Sequence, residues 1–474
     1  MKILLINPSA ENEILSCNPE IIKSERGFDP PLGLLYLAGY IKEHSNYNLQ
    51  MIDAQVEKLS YSQLKEKIKN INPDIVGITA MTFTLLDVLK TAETAKQACP
   101  NAKIVIGGPH VQIYPEETIN LKNIDYVVLG EGEKTFLKLI QNINQPEKLK
   151  NITGLVFKKN GKIINTGKPD YFDNLDEIPF PPREILPYKK YFSLLAKEKV
   201  ITTMFTSRGC PYQCAFCDRP AMGRIFRSRS AKNVINEIEE CLKLGIKEIF
   251  IYDDTFTVDK KRVIDLCNEI INKNLKFTWD IRARVNTVDK EMLILLKKAG
   301  CERIHYGVEA GTEKILKVLN KGIDLEQVLK VFKLTKKIGI QTFAYFMIGS
   351  PEETKENVLE TIEFMKKLNP DFVQITLLTP FPGTRVYQWA LEQKVFKNDY
   401  WKEFAKNPQT GFKTKYWTKE ISNEDLQKLL TIAYKKFYVR PGYIIKRILN
   451  VRSLSELIRK AKAGIKVITM KNAI

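Results

Sequence analysis

The strongest constraint on this fold is a set of short, almost wholly apolar segments that alternate, in two successive series, with helix-length amphipathic ones. In the first series Lys2–Ile6, Asn48–Asp53, Ile75–Thr79, Lys103–Gly107 and Tyr126–Leu129 are rich in β-branched residues and nearly free of charge. Strands read this way when helices cover both faces of a parallel sheet. Helical patterns such as Ser62–Asn70 and Leu85–Ala98 fill the intervals. The series predicts an α/β domain over residues 1–145, a Rossmann-like, doubly wound parallel sheet. The second series runs Val200–Thr206, Glu248–Tyr252, Phe277–Arg282, Arg303–Gly307, Gln341–Ile348 and Phe372–Leu377. Its helical patterns include Ala231–Leu244, Lys260–Asn272, Lys290–Ala299, Leu325–Lys337 and Thr354–Leu368. Six such units predict a partial (β/α)6, TIM-like barrel over residues 197–390. Between the series, residues 146–196 read as a connector. A hairpin signal at Asn160-Gly161 is followed by Pro169, Pro179, Pro181, Pro182 and Pro187, which forbid a regular helix or central strand. Residues 391–474 form a basic, mainly helical C-terminal region.

Parallel α/β sheets bind ligands at the carboxyl ends of their strands. In the first series small residues gather at three adjacent strand ends: Thr79 and Thr82 within Gly77–Thr84, then Gly107, Gly108, Pro109 and His110, then Gly130, Glu131 and Gly132. Glycine there lets backbone approach a bulky ligand closely. In the second series the first strand runs into Cys210-Pro-Tyr-Gln-Cys214-Ala-Phe-Cys217. Thiolates are soft ligands suited to iron–sulfur clusters or zinc. Spacings of four and three residues turn three sulfurs onto one centre and leave one metal position open. No fourth Cys or His lies nearby, against a closed structural zinc site. Arg208 and Arg219 are placed to offset the negative charge of such a centre. The other five of the eight cysteines are scattered, as buried apolar residues are.

The cysteine loop, with Phe216 immediately before the last Cys, resembles that of radical S-adenosylmethionine enzymes. The resemblance continues at successive strand ends: Tyr252-Asp253-Asp254, then Arg282 and Arg284, then Gly307-Val-Glu309-Ala-Gly311, Met347-Ile348-Gly349-Ser-Pro351-Glu352 and Pro380-Phe-Pro-Gly383-Thr384. It implies that Cys210, Cys214 and Cys217 bind three irons of a [4Fe-4S] cluster. S-adenosylmethionine then chelates the fourth iron through its amino and carboxylate groups, and its reductive cleavage gives a 5′-deoxyadenosyl radical that abstracts hydrogen from an unactivated carbon. It further implies that Phe216, Asp254, Arg282, Arg284, Glu309, Ile348 and Gly349 line the S-adenosylmethionine site. Asp254 stands where the family often has Gly-Gly-Glu. An external one-electron reductant of flavodoxin or ferredoxin type is the implied partner.

Pro30-Pro31-Leu32-Gly33-Leu34-Leu35-Tyr36-Leu37-Ala38, Gly107-Gly108-Pro109-His110 and Gly130-Glu131-Gly132-Glu133 are similar to the cobalamin-binding branch of that family, which includes the anaerobic magnesium-protoporphyrin ester cyclase and radical C-methyltransferases. This implies cobalamin at Thr79, Thr82, Gly107–His110 and Gly130–Gly132, and either C-methylation or oxidative cyclisation or rearrangement. The only histidines are His44, His110 and His305, none in a D-x-H-x-x-G pattern, so the expected corrin has no protein His ligand. His110 either touches the corrin or makes a loop hydrogen bond. Two other readings are weaker. A non-catalytic electron carrier or cobalamin sensor would not need an open metal position. An RNA methylthiotransferase would carry further N-terminal cysteines beyond Cys17 and Cys99.

Charge and hydropathy settle less. The net charge is +19, and Tyr434–Ile474 holds eleven Lys and Arg against one Glu. Within it Leu454–Ile468 has helical apolar spacing with basic residues on the other faces. Such a helix lies on anionic lipid or docks on the protein with a solvated charged face. No nucleic-acid-binding signature accompanies it. No apolar run is long enough for a membrane span or a signal peptide, so a cytoplasmic enzyme, with membrane association through the tail as an option, is expected. The basic tail and the resemblance point to a hydrophobic small-molecule substrate.

Overall fold

The structure is a computed structural model that describes residues 1–14, 27–218, 223–449, 464–466 and 468–469. Cys17, Arg219 and most of the basic helix expected over Leu454–Ile468 lie outside the described residues.

The first sheet contains seven strands: β1 (Lys2–Asn7), β2 (Asn48–Asp53), β3 (Ile75–Thr79), β4 (Lys103–Gly107), β5 (Tyr126–Val128), β6 (Leu155–Lys159) and β7 (Lys162–Asn165). Their order is β2-β1-β3-β4-β5-β6-β7, with the first five parallel. Residues alternate cleanly between two cores. Ile3, Leu5, Ile75 and Val105 meet helices α1 (Leu32–His44) and α4 (Glu133–Asn142) on one face. Leu4, Ile6, Val76, Ile78, Ile104 and Ile106 meet α2 (Tyr61–Ile71) and α3 (Leu85–Ala98) on the other. The sheet is therefore wound on both faces, and the strand order reverses between β1 and β3, a switch point that places a ligand crevice beyond Asn7 and Thr79. The hairpin does form, with Asn160 and Gly161 both at positive φ. It belongs to this sheet, however, not to the connector. β6 pairs antiparallel with β5 because Leu155, Val156 and Phe157 are as apolar as the parallel strands.

The second sheet has six parallel strands in chain order: β8 (Ile201–Met204), β9 (Glu248–Ile251), β10 (Thr278–Ala283), β11 (Cys301–Glu309), β12 (Gln341–Ile348) and β13 (Phe372–Leu377). The intervening helices start on side-chain caps. Ser230, Asp259, Asp289, Asp324 and Thr354 each accept a backbone N–H three residues on, which fixes where each helix begins.

β13 would present a bare edge. The C-terminal helix α10 (Asn423–Tyr438; α5–α9 being Ala231–Lys243, Lys260–Asn272, Lys290–Lys298, Leu325–Ile338 and Lys355–Leu368) covers it with two tyrosines one turn apart. The Tyr434 hydroxyl accepts from Ile375 N at 3.0 Å and donates to Ile375 O at 2.9 Å. Tyr438 does the same for Val373 at 3.0 and 2.7 Å. These phenols take the place of a seventh strand. Burial raises the pKa of both, so they stay neutral donors. Leu426, Leu429, Leu430, Ala433 and Phe437 of the same helix share the core of the second sheet. Replacing Tyr434 or Tyr438 by Phe leaves a buried N–H and C=O unpaired, so each should cost about 1–3 kcal/mol in denaturant unfolding. Beyond it, part of the basic tail is docked: Arg447 and Lys446 pair with Asp371 at 3.0 and 3.3 Å. No described helix is long and apolar enough to cross a membrane.

Candidate active site

The cysteine loop is held before it begins. Asp253, completely buried just past β9, accepts from the backbone N of Thr206 and Ser207 at 2.6 and 3.0 Å. Its other oxygen accepts from their hydroxyls at 2.5 and 2.6 Å. Downstream, Ala215 N donates to Leu319 O at 2.9 Å, Val386 N to Ala215 O at 3.1 Å, and Asn320 Nδ2 to Gln213 O at 2.7 Å. Each of those carbonyl and amide groups is a loop group that would otherwise need water.

Cys210 and Cys214 are buried and Cys217 is exposed. Cys210 Sγ lies 3.8 Å from the Thr255 hydroxyl. Arg284 donates to Cys214 Sγ at 3.3 Å, stacks over Tyr212 at 4.0 Å and donates to the Lys321 carbonyl. The Lys321 ammonium pairs with Glu309 at 2.7 Å and sits 5.7 Å from the Phe216 ring centre. Glu309 itself has φ 74, a strained position for a non-glycine residue. Two buried thiols, one of them beside a fixed cation, and an exposed third in the same loop are soft donors of the kind an iron–sulfur cluster takes, although among the described residues no three ligating side chains are already gathered on one centre.

The expected S-adenosylmethionine residues thus divide. Phe216, Arg284 and Glu309 converge on the cysteine loop through Lys321. Arg282 lies elsewhere on the same sheet, over the Tyr252 ring at 4.3 Å. Asp254 is exposed, whereas its neighbour Asp253 is the buried carboxylate. Ile348 is fully buried in the helix-side core, so only its backbone faces the strand ends. Gly349 has φ 86, and a side chain there would press on Leu426. The loop after Gly349 is shaped by a residue the sequence reading missed. Glu353, not Glu352, accepts from Gly349 N and Ser350 N at 2.6 and 2.9 Å. Its second oxygen is buried with no partner among the described residues.

Burial outweighs those two bonds and pushes the Glu353 carboxyl up to about 7 from 4.5. A folded value above the unfolded one means its contribution to stability is complete below about 4.5 and lost as pH rises through about 7. Glu353→Gln keeps an acceptor without the charge. Relative to it, the native protein should lose roughly 3 kcal/mol between pH 4.5 and 8, read as a divergence of their urea midpoints.

Arg208 departs from expectation. It does not face the cysteines but pairs with Glu133 at 2.6 Å and Glu131 at 3.3 Å, and Arg227 takes the other oxygen of Glu131 at 2.6 Å. All are buried or nearly so, and they join the β5 end of the first sheet to the second. The Glu131 side chain is thereby engaged across the domains, and Gly130 and Gly132 take φ 73 and 90, Gly130 packing on Pro169 and donating its N–H to Gln112 Oε1 at 2.9 Å. His110 makes the loop hydrogen bond: ring Nδ1 is 3.1 Å from Thr82 Oγ1, and the His110 backbone N–H donates to Ala80 O at 3.0 Å. It is wholly buried, and burial alone pushes its pKa down to about 4, so it is neutral. Gly108, φ 102, sits against Ala80 where a Cβ would lie 2.8 Å from the carbonyl oxygen. At Gly107 and Gly132 a Cβ would stand 3.7 Å from its nearest neighbour. Pro109 opens the helical turn that carries His110, and Thr79 is the last residue of β3. His110 Nε2 and Gln112 Nε2 are buried without partners among the described residues. Bare glycine backbone and two orphaned nitrogens at adjacent strand ends fit a large ligand with many amide groups, such as a corrin.

A profile of the Radical SAM superfamily matches residues 204–365, and one of the B12 binding domain matches residues 21–140. An uncharacterized methyltransferase of Pyrococcus horikoshii is 38% identical over 98% of both chains. The chain belongs to the cobalamin-binding radical S-adenosylmethionine family. It is 33% identical to the anaerobic magnesium-protoporphyrin IX monomethyl ester cyclase of Rubrivivax gelatinosus, over 82% of this chain and 70% of that one. Among solved structures, the cobalamin-dependent radical enzyme OxsB, with aqua-cobalamin and S-adenosylmethionine bound, superposes with a TM-score of 0.74 at 19% identity, covering 98% of this chain and 72% of that one. TsrM from Kitasatospora setae, with cobalamin and a [4Fe-4S] cluster bound, gives 0.67 at 20%, covering 83% and 75%. The protein is thus a radical S-adenosylmethionine enzyme of the methyltransferase or cyclase type, with a [4Fe-4S] cluster, S-adenosylmethionine and cobalamin as its cofactors.

Proposed function

We propose that this enzyme methylates an unactivated carbon of a hydrophobic small molecule, using cobalamin as the methyl carrier. The observation that carries this is the Arg208 clasp. Arg208 is two residues from Cys210, and its carboxylate partners Glu131 and Glu133 flank Gly132 at the end of the first sheet. One buried ion-pair network therefore fixes the cysteine loop against the glycine-rich edge, as a reaction that uses both cofactors on one substrate requires. Cys210, Cys214 and Cys217 would hold the cluster, which when bound supplies the electron that cleaves S-adenosylmethionine and so permits hydrogen abstraction. Arg284 would offset thiolate charge, Glu353 would hold the backbone of Gly349 and Ser350 for the nucleoside, and the six parallel strands would form an incomplete barrel around the reacting groups. Cys217, the exposed member of the three, is where a flavodoxin- or ferredoxin-type donor would approach. The basic helix expected over Leu454–Ile468 would be the part that meets anionic lipid.

Oxidative cyclisation is the second reading, favoured by the relationship to the Rubrivivax cyclase. Product analysis separates the two. Reduced, reconstituted enzyme with S-adenosylmethionine and substrate should form S-adenosylhomocysteine together with 5′-deoxyadenosine. Formation of 5′-deoxyadenosine alone would sink the methylation reading.

A further inference from the structure

The face of the second sheet turned away from its helices carries one cation that the site above does not use. On β10, Ile281 and Ala283 pack into the helix-side core, so Asp280 and Arg282 alternate onto the opposite face. Ile304, Tyr306, Ala344 and Phe346 are core residues in the same way, which puts His305 and Tyr345 on that opposite face too. The register sets Arg282 beside His305, and Gly307 beside Tyr345.

These residues brace one another. The Tyr345 hydroxyl is 2.9 Å from His305 Nδ1, and His305 Nε2 is 3.4 Å from Asp280 Oδ2. The imidazole stacks on Phe343 at 4.7 Å. Burial lowers the His305 pKa against the opposing pull of Asp280, so the ring is neutral. The network then assigns its proton to Nε2, donating to Asp280, while Nδ1 accepts from Tyr345. Arg282 lies 4.3 Å over the Tyr252 ring and also interacts with the Tyr345 hydroxyl. Tyr252 in turn donates to Asp29 at 2.6 Å.

The other cations near this face are committed. Arg303 pairs with Asp280 at 2.6 Å, Lys321 with Glu309 at 2.7 Å, and Arg284 donates to Cys214. Among the described residues no carboxylate forms an ion pair with Arg282. A guanidinium held by aromatic and neutral groups keeps N–H donors in a fork that matches a carboxylate or phosphate, and away from water that charge acts strongly.

We propose that Arg282, fixed by Tyr252, Tyr345 and His305, is the anion-recognition point of the substrate, taking a carboxylate or phosphate carried on an otherwise apolar molecule. This rests on the radical S-adenosylmethionine reading and names the substrate class within it. The methionine carboxylate of S-adenosylmethionine is the competing source of the same chemistry, and depth argues against it. Arg284, which touches the cysteine loop, lies two residues nearer the strand end, about 7 Å along the sheet. A carboxylate that chelates the cluster belongs at the level of Arg284, one layer above Arg282.

The test uses reconstituted enzyme and three probes matched in their ring: phenyl phosphate, benzoate and benzyl alcohol. Affinities are measured by calorimetry for the native protein, Arg282→Gln and Arg282→Lys, together with the affinity for S-adenosylmethionine and the iron content. Arg282→Gln should weaken the two anions about tenfold or more. It should leave benzyl alcohol and S-adenosylmethionine within about twofold. Arg282→Lys, which keeps a charge but loses the fork, should fall between, and it is the variant read if Arg282→Gln loses its iron. The proposal is overturned if the anions bind the native protein no better than benzyl alcohol. It is equally overturned if Arg282→Gln weakens S-adenosylmethionine as much as the anions. Absence of iron and of S-adenosylmethionine binding in the native protein would instead count against the radical reading, whatever the probes do.

Discussion

Glu237→Ala should lower the stability of the protein by about 3–5 kcal/mol. Glu237 lies on α5 with no exposed surface, and it forms ion pairs with two buried guanidinium groups. Its Oε1 takes Arg183 at 2.5 Å, and its Oε2 takes Arg229 and, at 3.2 Å, the Tyr36 hydroxyl. Arg183 comes from the proline-rich connector and also donates to Thr202 Oγ1 and Thr203 O on the edge strand β8. Tyr36 comes from α1 of the first sheet. One carboxylate thus ties three parts of the chain, and truncating it leaves two unpaired cations in a medium that solvates them poorly. Burial pushes its pKa up, but Arg229 and Arg183 together hold it below the usual range. Its contribution is therefore present above the ordinary carboxylate pKa and lost as pH falls through the lower folded value. Urea unfolding reads the effect. Pairing Glu237→Ala with Arg229→Ala should cost clearly less than the sum of the two, because the second change removes the charge that the first left unpaired. Additive losses would show that the network is not coupled.

Cys214→Ala should abolish cluster retention and with it all S-adenosylmethionine cleavage, since two remaining sulfurs cannot hold three irons. The change should leave urea stability close to that of the native protein stripped of iron, because the loop is pinned by Asp253, Leu319 and Val386 and not by the sulfur. Arg284→Gln removes the cation beside Cys214 together with its contacts to Tyr212 and the Lys321 carbonyl, and a partner of that kind is worth about 10–100-fold in metal affinity or activity. Iron content after anaerobic reconstitution and gel filtration reads both. Full iron retention by Cys214→Ala would remove that residue from the ligand set.

The sequence carried the strands well because burial on both faces leaves an apolar run that nothing else in a soluble domain produces. The Cys210, Cys214 and Cys217 motif was legible as a candidate ligand set, because its spacing lies within one loop. What the sequence did not carry are side chains whose roles come from distant partners. Arg208 sits beside the cysteines in sequence, yet its charge is taken up by Glu131 and Glu133 some 75 residues earlier. Lys321, which orders Phe216 and Glu309, falls in no motif. Glu353 differs from its neighbour Glu352 only in which way the backbone turns. His110 was open between ligand and loop, and only the position of Thr82 shows the loop bond. The hairpin was recognised from Asn160-Gly161, but its sheet could not be, because pairing with β5 is a long-range choice. Tyr434 and Tyr438 belong to no motif, and their role shows only when an unpaired strand edge is placed beside them.

A cluster with an open iron on Cys210, Cys214 and Cys217, adjoining a bound corrin, has a direct experimental signature. Anaerobically purified and reconstituted protein should contain about four irons per chain. It should also contain bound cobalamin in stoichiometric amount, and the electron paramagnetic resonance spectrum of the reduced cluster should change on adding S-adenosylmethionine. Zinc in place of iron, or a reduced cluster whose spectrum is unmoved by S-adenosylmethionine, would contradict the account.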